Sequence, residues 1–257
     1  MSEILVEEMD GIATVTLSNP GKLNALDVAM WVGIKQTFTA LSQDESLRCV
    51  ILRGDNKNFA AGADIEEFAS VRSTMEQGMR YHNETIAHAL DAIARCLHPT
   101  IAAIEGVCVG GGLEIACNCD LRIAASSSRF GIPINRLGFP LAPLEMRGLL
   151  QLIGKAATLE ILLEGRVFDA AEAKDKGLVH RVVFDVPDES RKAAERIALG
   201  APLAARINKQ MVRRLTPLAE PLTEQEIQAA FAFLNSEDYR EGVQTFLDKR
   251  TPVFVGK

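Results

Sequence analysis

The segment best suited to chemistry is a run of three glycines followed by a glutamate, Val109-Gly110-Gly111-Gly112-Leu113-Glu114. Consecutive glycines give a core nothing to pack and cost backbone entropy, so they suit a place where a ligand approaches the main chain closely. The run lies between a predicted strand and a predicted helix, and the free amides at a helix start attract negative charge. A tight strand-to-helix turn without a ligand is the alternative. No Gly-Lys-Ser/Thr follows, so a P-loop is not indicated, and the glycine spacing does not fit a dinucleotide fingerprint.

A second loop of small residues, Phe59-Ala60-Ala61-Gly62-Ala63-Asp64, also exposes backbone amides. Two such loops can aim two N–H groups at one oxygen, which is the oxyanion-hole arrangement for a carbonyl that gains negative charge. Glu114 lies just inside the predicted helix, within a turn of the glycine amides. It is either a favourable charge at the helix start or, beside an oxyanion site, a general base or acid.

The other titratable side chains give weaker indications. No Cys or His pair completes a zinc ligand set around Cys117 and Cys119, so we expect no metal site. His82 lies on a long predicted helix and could reach a site, but we expect it to have a surface or core role. A Ser-His-Asp triad has no nucleophile-elbow motif to support it. One predicted helix carries a basic face that we expect to be solvated, with a phosphate contact as the alternative; it comprises Arg206, Lys209, Arg213 and Arg214.

The elements that must position these residues alternate between strand and helix. Asp10-Gly11 between two short β-type runs predicts a hairpin, and Asp27 predicts the N-cap of a helix over 28–41. A long helix is predicted over 73–97, where Pro99 follows. Segment 126–143 is predicted to be irregular, and the chain from 144 onward to be mostly helical. Further strands are predicted at 49–52, 100–104, 121–124 and 178–184. The pattern indicates an α/β core followed by a helical C-terminal part.

Composition narrows the class of protein. The chain has 257 residues, 47% hydrophobic and 24% charged, which excludes a disordered chain, a collagen and a coiled coil. Its formal net charge of −6 lacks the basic footprint of a nucleic-acid binder. The five cysteines are an odd number without framework spacing, which predicts buried or free thiols in a reducing compartment. The first residues lack signal-peptide features and no apolar run is long enough to span a membrane, so we expect a cytoplasmic protein that binds neither nucleic acid nor membrane.

Taken in order along nearly the whole chain, these motifs resemble the crotonase (enoyl-CoA hydratase/isomerase) family. The matching segments are Asn19–Leu26, Phe59–Ile65, Ile101–Gly106, Gly110–Glu114, Cys119–Ala124, Phe130-Gly131, Leu163–Arg166, Ala170–Ala173, Gly177–Val179 and Phe246–Arg250. The resemblance implies an α/β crotonase-like (ClpP/crotonase) spiral of ββα units over 1–195 and an α-helical trimerisation region over 196–257 that completes the CoA site. It implies a homotrimer or a homohexamer (a dimer of trimers). We expect the tail to bury an apolar face against another subunit, namely Ile227, Phe231, Phe233 and Leu234.

The resemblance also implies an acyl-CoA substrate, a coenzyme A thioester, with no further cofactor. By motif position, the amides of Ala63 and Gly111 form the oxyanion hole, and Glu114 is the first catalytic glutamate. The substrate-binding and CoA-binding positions are Ala61, Asp64 and Ile65 on one loop, Lys22, Ala25 and Leu26 on another, and Phe246 and Lys249 approaching from a neighbouring subunit.

The sequence departs from the family pattern at one position. Where the resemblance places a second catalytic glutamate, the chain has Ile134, so that Glu114 carries the acid–base work alone. Glu145 is a possible substitute, or simply an acid at a helix start. We therefore expect an enoyl-CoA hydratase or isomerase acting through an oxyanion-stabilised enolate in fatty-acid or related acyl-CoA catabolism. The alternatives are a thioesterase, a decarboxylase or a catalytically weak CoA-thioester-binding protein.

Overall fold

The computed structural model describes residues 1–216 and 221–256. Its first element is the predicted hairpin, in which β1 (Glu3–Met9) pairs antiparallel with β2 (Ile12–Ser18). Asp10 and Gly11 form the turn with φ of 55° and 73°, values that an Asp-Gly pair adopts readily.

The hairpin opens a six-stranded sheet with the order β1-β2-β3-β4-β6-β9, parallel except for its first pair. All five residues of its fourth strand are buried, as expected where both faces of a parallel sheet are covered. A smaller sheet, with the order β5-β7-β8, lies beside it. The remaining strands are β3 (Cys49–Gly54), β4 (Thr100–Ile104), β5 (Val107–Val109), β6 (Leu121–Ala125), β7 (Arg129–Gly131), β8 (Phe168–Asp169) and β9 (Arg181–Val183).

Helices cover the sheets and share the core with the strands. The first begins where it was predicted, because the Asp27 carboxylate accepts a hydrogen bond from the Met30 amide at 2.8 Å. Its buried face carries Trp31, Ile34 and Phe38 into the core. The helices are α1 (Val28–Leu41), α2 (Phe68–Val71), α3 (Met75–Arg80), α4 (Ala87–Ala94), α5 (Gly111–Asn118), α6 (Pro143–Glu164), α7 (Ala170–Asp175), α8 (Val186–Ala198), α9 (Pro202–Leu215), α10 (Glu224–Phe231) and α11 (Glu237–Leu247).

The long helix predicted over 73–97 is interrupted. A π-helical segment, Tyr81–Ile86, separates α3 from α4. The extra residue in a π turn rotates the side chains that follow it, and such turns frequently occur at functional sites. Here it places both Tyr81 and His82 on the buried side of the helix.

Two other predictions need correction. Segment 126–143 is not wholly irregular, because it contains β7 and a 3₁₀ turn at Pro133–Leu137 that ends at Gly138. The strand predicted over 178–184 covers only Arg181–Val183. The prediction of buried thiols is confirmed, since all five cysteines are buried and free.

Two of the four residues predicted to face another subunit are covered by the same chain instead. Phe231 and Leu234 are buried with Ala142 and Tyr239, so the prediction is wrong for these two. Ile227 and Phe233 pack against that cluster but are only partly buried, and a subunit contact through them stays a prediction.

The basic face of α9 is solvated only in part. Lys209 forms an ion pair with Asp120 at 2.6 Å, and Arg206 donates to backbone oxygens of the loop that precedes β3. Arg213 donates to the Ala94 oxygen at the end of α4, but Arg213 and Arg214 are both exposed, as predicted. Within the described residues, no helix has the length and apolar character needed to cross a bilayer.

Candidate active site

The two glycine-bearing loops approach each other until their backbones touch. Val109 donates to the oxygen of Ala60 at 3.1 Å. Gly62 has a φ of +96°, and a Cβ on it would lie 3.2 Å from the Val109 oxygen. A Cβ on Gly112 would lie 2.4 Å from the Ala60 oxygen, closer than any side chain permits. The glycines are therefore required for this contact, as the run of small residues indicated.

Each loop leaves one amide free. The Leu26 amide donates to the Gly62 oxygen at 2.7 Å, and the Leu26 oxygen accepts from the Asp64 amide at 2.9 Å. The amide of Ala63, which lies between Gly62 and Asp64, takes no part in this pairing. Gly111 is the first residue of α5, where amides have no partner within the helix. Neither amide donates to another backbone group in the part of the chain that the structure describes. Both residues line one cavity of about 520 Å³.

Glu114 reaches this cavity from the first turn of α5. Its side chain is buried, and its Oε2 atom has no hydrogen-bond partner among the described residues. Burial, with the charge of Glu145 as a second cause, raises the pKa of the Glu114 carboxyl well above its usual range. A protonated carboxyl beside two free amides can donate as well as accept a proton.

A second buried carboxyl lines the same cavity. Glu145 lies in the first turn of α6, and its Oε1 atom lies 2.6 Å from Nδ1 of His82. Burial raises the pKa of Glu145 to about 8, although the positive charge of Arg72 opposes the shift. Burial, with the charge of Arg72 as a second cause, lowers the pKa of His82 well below its usual range, so the imidazole is neutral near pH 7. Glu145 is thus both an acid at a helix start and a member of the site, the two roles left open by the sequence.

Three side chains of the cavity were missed or set aside by sequence reasoning. His82 was assigned a surface or core role, yet it is held against Glu145. Tyr81 and Arg72 were not singled out, and both are buried in the cavity wall. The available signal was the spacing of polar side chains along an otherwise apolar helical stripe, but the π turn that brings Tyr81 and His82 inward has no pattern that distinguishes it.

The residues predicted for substrate binding divide into two groups. One group lines the cavity with Ala63, Gly111 and Glu114; it comprises Ala61, Ile65, Ile134 and Phe246. The other lies outside its wall and comprises Lys22, Ala25, Leu26, Asp64 and Lys249. In that group, Lys22 contacts Asp64 and Glu66 at 2.7 Å each, so part of the predicted CoA segment is held together by ion pairs.

Phe246 was expected to approach from a neighbouring subunit, and this needs correction. The end of α11 and residues 250–252 line the cavity of their own chain. The reason is the covered apolar cluster around Phe231, which docks the C-terminal helices onto the same core.

Comparison with known proteins identifies the family of this chain. Residues 7–257 match the profile of the enoyl-CoA hydratase/isomerase family. The chain belongs to the enoyl-CoA hydratase/isomerase, or crotonase, family. A probable enoyl-CoA hydratase (echA8) of Mycobacterium tuberculosis is 37% identical over 266 residues, covering 98% of this chain and 97% of that protein. The crotonase-family chain is accordingly an acyl-CoA enzyme.

Solved structures confirm the α/β crotonase fold with C-terminal helices. An enoyl-CoA hydratase/carnithine racemase from Magnetospirillum magneticum is 46% identical with a TM-score of 0.82, covering 100% of this chain and 97% of that one. A methylmalonyl-CoA decarboxylase in complex with 2-nitronate-propionyl-CoA is 29% identical with a TM-score of 0.88, covering 99% of this chain and 98% of that one.

The buried carboxyl of this crotonase-family enzyme predicts a pH-dependent stability. The folded state raises the pKa of Glu145 from 4.5 to about 8, so its contribution to stability is complete below the unfolded value and is lost as pH rises through the folded value. Glu145→Gln cannot titrate. Between about pH 5 and about pH 9, we expect the free energy of unfolding of wild type to fall relative to the variant by on the order of a few kcal/mol.

Urea unfolding at both pH values measures this difference. Glu84→Gln, an exposed glutamate near His82, is the matched control and should follow wild type throughout. A constant offset between wild type and Glu145→Gln would contradict the assignment of Glu145 as a buried carboxyl with a raised pKa.

Proposed function

We propose that the enzyme hydrates a 2-enoyl-CoA thioester to a 3-hydroxyacyl-CoA. The observation that carries this proposal is the presence of two buried carboxyl groups, Glu114 and Glu145, in the cavity that also contains the free amides of Ala63 and Gly111. The enzyme's membership of a family that contains probable enoyl-CoA hydratases supports it.

The reaction begins at the thioester carbonyl. Its oxygen accepts from Ala63 N and Gly111 N, which draws electron density away from C3. A water oxygen then adds to C3 as its proton passes to a carboxylate, and the C2–C3 π electrons move into an enolate. The enolate oxygen is the position at which the two amides stabilise the charge most strongly, and one donor of this kind is worth about 3–4 kcal/mol. Protonation of C2 by the other carboxyl completes the addition of water.

The two carboxyls suit these opposite roles because both are buried and line one cavity. Neighbouring carboxyls resist simultaneous ionisation, so the pair holds a proton near neutral pH. The charge of Arg72 favours the ionised form of Glu145, whereas Oε2 of Glu114 has no hydrogen-bond partner among the described residues. We therefore assign Glu145 as the base that takes the proton of water and Glu114 as the acid that protonates C2.

Glu145 would then replace the glutamate expected at position 134. Ile134 lines the cavity as an apolar wall and cannot hold water. Its place beside the carboxyls supports the exclusion of bulk solvent, which strengthens every electrostatic interaction with the enolate. The outlying group of Lys22, Ala25, Leu26, Asp64 and Lys249 is proposed to bind the CoA moiety beyond the cavity.

A second candidate is the decarboxylation of a malonyl-type thioester, which forms the same enolate by losing CO₂. The observation that favours it is the TM-score of 0.88 to methylmalonyl-CoA decarboxylase, above the 0.82 to the enoyl-CoA hydratase/carnithine racemase. Isomerisation of the double bond also passes through this enolate. Hydration ranks first because it uses both buried carboxyls, one as base and one as acid.

Replacing either carboxyl by its amide should abolish most of the hydration. Glu114→Gln and Glu145→Gln each remove one proton-transfer group, a loss of about 10²–10⁴-fold in kcat. The decrease in absorbance of the conjugated enoyl thioester measures the rate, and calorimetry with a saturated acyl-CoA measures binding, which should be retained. Glu84→Gln should match wild type. Full activity in Glu145→Gln would overturn its role as base.

The amide of Gly111 can be tested with a matched pair. A Cβ at this position would lie 2.9 Å from the Trp31 ring, so any substitution disturbs packing. Gly111→Ala and Gly111→Pro both introduce that atom, but only proline removes the N–H. Because proline is tolerated at the first residue of a helix, we expect Gly111→Pro to fall about 10²–10³-fold below Gly111→Ala in kcat. Equal rates in the two variants would remove Gly111 from the oxyanion hole.

We also propose that the enzyme assembles as a trimer or hexamer through α9. Basic side chains of that helix contact backbone oxygens of the same chain, whereas its apolar side chains are exposed. The exposed side chains recur every fourth residue and comprise Leu203, Ile207, Met211 and Leu215. An apolar stripe of this length on an otherwise polar helix indicates a protein interface.

A charge placed in the stripe should dissociate the assembly. Sedimentation velocity at micromolar concentration should give three or six times the mass of one chain for wild type and a single chain for Met211→Glu. Lys192→Glu, on an exposed part of the preceding helix, is the control and should assemble normally. A wild-type protein that sediments as a monomer would contradict the proposal.

A further inference from the structure

Arg72 occupies an unusual position in the wall of the active-site cavity. It directly follows α2, and its side chain is almost fully buried, with a relative exposure of 1%. It lines the cavity that contains Glu114 and Glu145, with a second cavity of about 850 Å³ on its other side. An arginine is seldom buried to this extent unless it is paired.

The charge of Arg72 has no ion-pair partner in the described chain. Its Nε and Nη2 atoms donate to no acceptor there, and the polar group that it approaches is the hydroxyl of Tyr239, which is neutral. The nearby acids have other partners: Glu145 contacts His82, Glu66 pairs with Lys22 and Glu241 pairs with Arg250. A buried ion without a counter-charge carries a large desolvation cost.

Aromatic rings hold the guanidinium in place without neutralising it. Its central carbon lies 4.2 Å from the ring centroids of both Phe68 and Phe139. The ring centroids of Tyr239 and Phe233 lie 5.1 and 5.6 Å from the same carbon, so four aromatic rings surround the guanidinium. Cation–π contacts of this kind fix the orientation of the planar group through its faces and leave the Nε and Nη2 donors at its edge without an acceptor. Such an arrangement suits an anion.

The acyl part of a substrate is the one occupant that reaches this place. This step rests on the proposed function, in which the thioester carbonyl lies at Ala63 and Gly111 in the same cavity. The phosphates of CoA are separated from the thioester by the pantetheine arm, and they are groups that remain hydrated, whereas Arg72 is enclosed by aromatic side chains. A carboxylate matches the two-pronged edge of a guanidinium. Neither Glu114 nor Glu145 forms an ion pair with the guanidinium among the described residues, so neither occupies its edge.

We propose that Arg72 binds a carboxylate carried by the acyl group, so that the substrate of this enzyme is a dicarboxylic, rather than a simple fatty, acyl-CoA. A neutral acyl chain of the same length would leave the buried guanidinium unpaired. Sites that leave a buried polar group unpaired reject such analogues strongly, by far more than a missing methylene does.

Two substrates of equal chain length provide the test: glutaconyl-CoA, which ends in a carboxylate, and 2-pentenoyl-CoA, which ends in a methyl group. We expect wild type to prefer glutaconyl-CoA by about 10²-fold or more in kcat/KM. Because the charge of Arg72 also favours ionised Glu145, Arg72→Met should slow both substrates, and the readout is the ratio of their kcat/KM values, which should fall to about one. Arg72→Lys should retain part of the preference. Arg80→Met, an exposed arginine on the following helix, should behave as wild type.

Binding measurements separate this inference from the proposed reaction. If neither thioester is hydrated, the proposed function fails, but calorimetry with glutaryl-CoA, pentanoyl-CoA and free CoA still examines Arg72. The inference predicts that Arg72→Met weakens glutaryl-CoA alone. An equal loss for all three ligands would assign Arg72 to a CoA phosphate or to general folding, and equal wild-type affinity for glutaryl-CoA and pentanoyl-CoA would show that no carboxylate is recognised. Either result overturns the inference.

Discussion

The contact between two backbone loops is the constraint on which the site depends. Residues 60–63 and 108–112 meet backbone to backbone, because a Cβ on Gly112 would collide with the Ala60 oxygen and Gly62 adopts a φ of +96°. That contact sets the amides of Ala63 and Gly111 at one cavity and starts α5 at its wall. The direction of α5 then determines where Glu114 points. A substitution that separated the loops would disturb the amides, the helix and the carboxyl together.

The cavity also buries several ionisable side chains, and this burial sets their charges. Glu114, Glu145, His82 and Arg72 are all enclosed, and burial is the principal cause of each pKa change. Removing water makes a carboxyl neutral and an imidazole uncharged, which provides proton donors and acceptors at neutral pH. The same removal of water leaves the guanidinium of Arg72 as a cation that needs a ligand. Reactivity and substrate choice thus arise from one physical cause.

Many of the helix and strand boundaries around the site were predictable from the sequence, because turn and capping residues close to them in the chain determine them. Asp10-Gly11 predicted the hairpin, Asp27 predicted the start of α1, and the glycine run predicted the strand-to-helix turn before Glu114. The π turn at Tyr81 was not predictable, since its hydrogen-bond shift depends on what the helix packs against. The contact of His82 with Glu145 joins residues 63 positions apart, and no local pattern reports it. The docking of Phe231 on its own chain, rather than on a neighbour, likewise depends on tertiary packing.

The positions at which solvent oxygen and hydrogen enter the product test most directly whether the enzyme hydrates a 2-enoyl-CoA. The enzyme would be incubated with a 2-enoyl-CoA in H₂¹⁸O and, separately, in D₂O, and the products identified by mass spectrometry. The account predicts a 3-hydroxyacyl-CoA that carries a single ¹⁸O at C3 and a single deuterium at C2, with the thioester intact. Deuterium incorporation without ¹⁸O would indicate isomerisation, and release of free CoA would indicate hydrolysis; either outcome would contradict the assignment of a hydratase.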